Sequence, residues 1–106
     1  MVEIGCGPLG FLPFIKGRLK VGLDPIVHNL WKKVADVDYM RAIGEFLPIR
    51  SESVDVVICY NVIDHCMDPC RVLKEINRIL RPGGLLLFEV NVYGRIFTYI
   101  EFLVKN

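Results

Sequence analysis

The stretch VDVVICYNVIDHCMDPCRVLKEINRILRPGGLLLFEVN, residues 54–91, decides the fold. Val54–Tyr60 is apolar and rich in β-branched residues apart from Asp55, the pattern of a strand buried on both faces. Asp68 then offers a helix N-cap, and Pro69 a first helical residue whose missing N–H is no loss. Beyond it Val72, Leu73, Ile76, Ile79 and Leu80 share one helical face, with Lys74, Glu75, Asn77 and Arg78 turned to water. Arg81–Gly84 ends the helix, because proline cannot continue it and glycine turns freely. Leu85–Asn91 is again a strand. Strand, helix and strand joined by short links make a parallel crossover unit.

The same alternation runs back to the N-terminus. Val2–Ile4 reads as a strand that runs straight into Gly5, Gly7 and Gly10. Pro8 suits a helix start, whereas Pro13 would kink the helix, so a short or bent helix to about Lys16 is expected. Leu19–Asp24 is a second buried strand. After Pro25, the spacing of Val27, Leu30, Trp31 and Val34, with Lys32 and Lys33 opposite, predicts a helix. Asp38–Ile43 is a weak third strand, and the next ten residues are a loop. From Gly94 onward, Ile96, Ile100 and Leu103 stand at helical spacing, flanked by Phe97 and Val104. They predict a helix covering the sheet, with Phe102 widening its apolar arc into a contact face for a second copy or for further sequence. The expected class is α/β: a three-layer Rossmann-like domain with a mainly parallel sheet of about five strands.

Composition narrows the function. With 106 residues the chain fits one domain with one modest core. Its hydrophobic share of 53% and mean hydropathy of +0.41 suit a parallel sheet apolar on both faces. Asp55, Asn61 and Glu89 interrupt the longest apolar runs, well short of the ~18 residues a membrane span needs. No basic leader precedes an apolar stretch, so the chain reads as cytoplasmic. Thirteen basic against twelve acidic residues leave a net charge of +1, without the clustered basic excess of nucleic-acid binders. Arg71, Lys74, Arg78 and Arg81 alternate with apolar positions and read as a solvated helix face. Of the four cysteines, Cys66 and Cys70 lie four apart with His65 beside them. A zinc site would bring a second ligand pair, and the other histidine, His28, sits in an unrelated helix. The cysteines read as ordinary thiols, with neither metal nor disulfide framework.

The segment GCGPLG, Gly5–Gly10, follows a strand, and Asp24 ends the next strand about 20 residues on. Such glycines let a backbone approach a nucleotide cofactor, and such an acid accepts hydrogen bonds from ribose hydroxyls. Taken alone this serves NAD as well as S-adenosylmethionine. Glu3 favours the second, since a nearby acid suits a sulfonium and an ammonium. Pro8 favours it too, because a pyrophosphate would want the free N–H groups of the helix start.

The remaining signals form one pattern. Glu45, Leu47 and Pro48 precede Val54, Asp55, Val56 and Val57; Asn61 and His65 follow, then Asp68 and Pro69. Glu75, Ile76, Arg78, Leu80, Pro82, Gly83 and Gly84 complete it. In order and spacing this resembles the signature of class I S-adenosylmethionine-dependent methyltransferases of the small-molecule type, and with the two N-terminal segments it covers nearly everything to Asn91. The resemblance implies a fold, a cofactor and a set of roles. Gly5, Cys6 and Gly7 would run under the methionyl and ribose parts of S-adenosyl-L-methionine, with Glu3 near the methionine moiety. Asp24, followed by Pro25, would hold the ribose diol, Glu45 and Phe46 would flank adenine, and Asn61 would lie by the methionyl group. The usual acid two residues before Glu45 is Ile43 here, so either Glu45 takes over or backbone alone reads the adenine. His65 could serve as a general base for a substrate hydroxyl or merely pack the turn. No other catalytic residue is indicated.

Relatives of this type carry residues before the first strand, an N-terminal helical cap and two strands after the one ending at Asn91. The chain is therefore expected to be one partial S-adenosylmethionine-binding domain over residues 1–106, lacking the last two strands. Its last strand would be an exposed edge, which a homodimer could cover through that edge or through the C-terminal helix. The expected activity is methyl transfer to a small-molecule acceptor by in-line displacement. The alternatives are a non-catalytic methyltransferase-like fragment or partner subunit and, further off, an NAD-binding domain.

Overall fold

The computed structural model describes residues 1–7, 10–26, 36–60, 66–91 and 98–105. Strands β1 (Val2–Ile4), β2 (Lys20–Asp24), β3 (Val37–Arg41), β4 (Val54–Tyr60), β5 (Leu80–Asn91) and β6 (Thr98–Val104) form one sheet in the order β3-β2-β1-β4-β5-β6. The first five strands run parallel, as read from the sequence. Chain order reverses at β1, so β1 and β4 part at a switch point, where ligands of open parallel sheets gather beyond the strand C-termini. A 3₁₀ turn, Leu12–Phe14, stands where a short or bent helix was expected, with Pro13 inside it. The helix expected over residues 27–34 lies outside the described residues.

Helix α1 (Pro69–Ile79) begins as predicted: the Asp68 side chain accepts the Arg71 N–H at 3.1 Å, and Pro69 opens the first turn. Its buried face is Val72, Glu75, Ile76 and Ile79. That corrects two positions, because Leu73 is 43% exposed whereas Glu75, assigned to water, is buried. The helix packs on one sheet face, where Val2, Ile4, Leu23, Val57, Cys59 and Leu86 join it in the main core. Alternate residues of the same strands point the other way. There Leu12, Val37 and Ile58 form a smaller core with Tyr39, Val56, Tyr60 and Leu87 against it.

The C-terminal segment differs from expectation. Thr98–Val104 is a strand, paired antiparallel with β5 from Leu85↔Val104 to Asn91↔Thr98. A helix had been read from three apolar residues at helical spacing, yet TYIEFLV is dense in β-branched and aromatic residues. Short apolar runs fit either period, and the free edge of β5 offered this one hydrogen-bond partners that a helix would not use. The sheet thus has six strands, β5 is paired on both sides, and the outer edge is β6. Self-association through a sheet edge would use β6 or β3, and the described C-terminal residues, 98–105, form no helix to mediate it. Lys105 closes the arrangement by donating to the carbonyls of Asn77 at 2.6 Å and Leu80 at 2.7 Å, capping α1 with positive charge. Lys105→Met is expected to destabilise the fold by about 1 kcal/mol in thermal unfolding, the usual worth of a helix-terminal cap of this kind. Among the described residues no helix is long and apolar enough to cross a membrane.

Candidate functional site

β1 ends in a turn that the next strand holds in place. The N–H groups of Gly5 and Cys6 both donate to the Leu23 carbonyl, at 2.7 and 3.1 Å. Gly5 and Gly7 adopt φ of 68° and 60°, the left-handed region that favours glycine. At the end of β2, Asp24 accepts the Gly7 N–H on Oδ2 at 3.0 Å and the Ile26 N–H on Oδ1 at 2.9 Å. A carboxylate offers about four acceptor positions, so each oxygen keeps one for a ligand hydroxyl.

Beyond these strand ends lies a cavity of about 450 Å³. One part of its wall is Ile4, Gly5, Asp24, Pro25 and Ile26; another is Ala42–Glu45, following β3; the last is Cys66 and Met67, just before α1. Glu45 ties the second part to the third, since its Oε2 accepts the N–H groups of Met67 at 3.1 Å and Asp68 at 3.3 Å. Arg71 returns from the helix, donating from Nε to the Glu45 carbonyl at 3.1 Å and covering the Phe46 ring at 4.7 Å. Phe46 itself is 62% exposed and outside the wall.

Glu3 lies behind the glycine turn. Its Oε1 accepts the N–H groups of Phe11 at 2.8 Å and Leu12 at 3.2 Å, fixing the start of the 3₁₀ turn. At the other end of that turn the buried Lys20 ammonium donates to the carbonyls of Leu12 at 2.9 Å and Ile15 at 3.0 Å and pairs with Asp36 at 2.8 Å. Two buried side chains of opposite sign thus satisfy opposite poles of one turn. Burial raises the Glu3 carboxyl above its ordinary value, the two N–H groups opposing it. Burial, with the carboxylates of Glu3 and Asp24 adding to it, pushes the Cys6 thiol up to about 12. Cys6 is therefore a neutral, buried packing residue.

Of the residues singled out by sequence, Gly5, Asp24, Pro25 and Glu45 meet in the cavity wall. Cys6 and Gly7 continue the turn that Gly5 begins, and Glu3 supports it from behind. Asn61 and His65 lie outside the described residues. Sequence reasoning missed Ile4, Ile26, Ala42, Gly44, Cys66 and Met67 as wall residues and saw Ile43 only as a lost acid. Their signal was faint: small or apolar residues beside strand ends, which read as core or loop.

Residues 2–88 match the family model described as "Methyltransferase domain". The chain belongs to that family. An uncharacterized methyltransferase of Mycobacterium sp. (strain JLS) is 35% identical over 98 residues, covering 88% of this chain and 39% of the relative. A mouse thiol S-methyltransferase is 36% identical over 103 residues, covering 87% of the chain and 42% of the relative. The chain thus spans about two fifths of these relatives. Among solved structures, a chain of the complex between the Haloferax volcanii Trm112 methyltransferase activator and a methyltransferase superposes with a TM-score of 0.73 at 31% identity, covering 84% of this chain and 43% of that one. A Thermotoga maritima SAM-dependent methyltransferase, described as a possible histamine N-methyltransferase, gives 0.69 at 32%, covering 84% and 42%.

The cofactor of this methyltransferase domain is S-adenosyl-L-methionine. The residues present fit it. The cavity is within the ~300–1,000 Å³ of small-molecule sites. It combines a glycine turn, a carboxylate with spare acceptor positions and an apolar surface.

Proposed function

We propose that this chain is the cofactor-binding core, one partial domain over residues 1–106, of a methyltransferase acting on a small-molecule acceptor. The cavity at the ends of β1 and β2 carries the reading, because it joins Gly5, Asp24 and Glu45 from three separate segments. In this reading the Gly5–Gly7 backbone meets the methionyl and ribose parts, and Asp24 accepts from the ribose hydroxyls. Pro25, Ile26, Ile43, Cys66 and Met67 supply the apolar slot for the purine. Glu45 and Phe46 brace that slot, Glu45 through the N–H groups it holds and Phe46 under Arg71. Asn61 follows β4 directly and is assigned to the methionyl end; Glu3 supports the turn; His65 is assigned to no step. When bound, S-adenosyl-L-methionine supplies a methyl group already activated on a sulfonium. The work of the chain is to fix position and keep water out, which is largely a proximity effect.

A small acceptor is supported by the near-zero net charge and by the names of two relatives, a thiol S-methyltransferase and a possible histamine N-methyltransferase. That Cys6, Cys59, Cys66 and Cys70 form no disulfide supports a reducing, cytoplasmic setting.

Calorimetric titration with S-adenosylmethionine, S-adenosylhomocysteine and NAD tests the reading. Binding of the first two is expected. NAD binding alone would overturn it, and binding of none would leave a non-catalytic partner subunit. Asp24→Ala is expected to weaken S-adenosylhomocysteine binding at least ~10-fold, the loss of about one charge-assisted hydrogen bond or more. Unchanged affinity in a folded variant would remove Asp24 from the site.

A further inference from the structure

We propose that Glu89, Tyr60 and Phe11 form the part of the acceptor subsite that holds a primary ammonium group carried by the acceptor, the methyl going to another atom of the acceptor that keeps a free electron pair. The inference rests on the methyltransferase reading above and adds the class of acceptor.

The three residues share one corner of the sheet. In β4, Val56, Ile58 and Tyr60 alternate onto the face away from α1, where Val56 and Tyr60 pack with Ile58 in the smaller core. Leu87 of β5 is on that face too, so Glu89, two residues on, follows it. Tyr60 and Glu89 are register partners across the parallel pair, which sets their side chains next to each other roughly 4.8 Å apart along the sheet. Phe11 completes the corner, its ring and that of Tyr60 forming a T-shaped pair at a centroid distance of 4.7 Å and an interplanar angle of 90°. Its backbone N–H is fastened to Glu3, so the ring does not drift from the glycine turn. The corner therefore sits at the same C-terminal strand edge as the cavity, separated from it by the turn that begins at Gly5.

Its chemistry is that of a cation receptor. Glu89 is half-buried, and its carboxylate makes no hydrogen bond or ion pair with the described residues. Lys20, Arg78, Arg81 and Lys105 belong to the opposite, N-terminal end of the sheet and are committed there, to Asp36, Glu75, Asp55 and the end of α1. A half-buried carboxylate with no partner among the described residues costs free energy that an arriving cation returns. Aromatic ring faces add to that attraction, and Phe11 remains 45% exposed to offer one. A neutral hydroxyl or thiol would leave the carboxylate unpaired, so the corner selects for charge as well as for an apolar body.

The test is calorimetric titration of the whole chain with 2-phenylethylamine, 2-phenylethanol and 2-phenylethanethiol, first alone and then with saturating S-adenosylhomocysteine. The amine is expected to bind at least ~10-fold tighter than the alcohol or thiol, as a charge-assisted contact over an aromatic ring provides. Glu89→Gln should reduce the amine to the level of the alcohol without altering S-adenosylhomocysteine affinity. Glu89→Asp should recover part of the difference, which a merely structural role would not predict. Phe11→Leu should weaken the amine with the melting temperature of Glu89→Gln and wild type as folding controls. Equal affinity for the three probes, no amine binding, or an unchanged amine affinity in folded Glu89→Gln would overturn the proposal. Loss of S-adenosylhomocysteine binding with amine selectivity intact would instead count against the cofactor reading.

Discussion

Gly10→Ala is expected to abolish measurable cofactor binding under conditions where the wild type saturates, and to lower the melting temperature by several degrees. Gly10 has φ of 65°, a conformation that costs an L side chain about 1–2 kcal/mol. The added Cβ would also stand 2.5 Å from Glu3 Oε1 and 2.9 Å from the Cys6 carbonyl oxygen. Neither neighbour can yield. Glu3 is pinned by the Phe11 and Leu12 N–H groups, and the Cys6 carbonyl belongs to the turn that presents Gly5 and Gly7. Relief of the clash must displace the turn itself, so affinity should fall further than stability. Thermal unfolding together with titration of S-adenosylhomocysteine checks this: wild-type affinity in Gly10→Ala would show that the turn does not shape the site.

Glu75→Leu is expected to destabilise the fold by about 2–4 kcal/mol, since it strands a buried donor and a partner charge. Glu75 Oε2 accepts the Leu47 N–H at 3.1 Å and the Arg78 guanidinium at 2.7 Å. Arg78 goes on to the carbonyls of Leu47 at 3.0 Å and Ile49 at 2.8 Å, so the pair sews the loop after Phe46 to α1. The Arg78 hydrogen bond holds the Glu75 carboxyl below its ordinary value of 4.5, against the opposing effect of burial. A depressed folded-state value contributes stability above the unfolded value and loses it as pH falls through the folded one. Wild-type stability should therefore drop on acidification below about 4.5, whereas Glu75→Gln should lack this part of the slope. Parallel pH–stability curves for the two would refute the coupling. Because the guanidinium is partly exposed, salt should weaken the effect.

The parallel strands and α1 were legible because their signals are redundant: β-branched runs, a capping Asp68, an opening Pro69 and a Pro-Gly-Gly stop agree with one another. Gly5 and Asp24 were legible as site residues because their chemistry is scarce at strand ends. The Glu75 and Leu73 positions were not, since helical spacing defines an arc without saying where it ends. What settles it is the Leu47 N–H, a distant donor that needs a buried acceptor and gives no local sign. Thr98–Val104 failed for a related reason, its seven apolar-rich residues suiting both periods until β5 supplied an edge. Cys66 and Met67 were hidden in the same way, because a cavity wall and a core draw on the same residue types.

The hairpin of β5 and β6 also orders the assembly of the sheet. Every parallel pair must wait for a crossover to be built and packed before its strands can meet. Only six residues, 92–97, separate β5 from β6 in the sequence, so their ladder closes at small entropic cost. A chain that gains such local contacts early can present a formed ribbon for β4 and α1 to dock on. The carboxyl-terminal ribbon is then a template for folding as well as the boundary of the finished sheet.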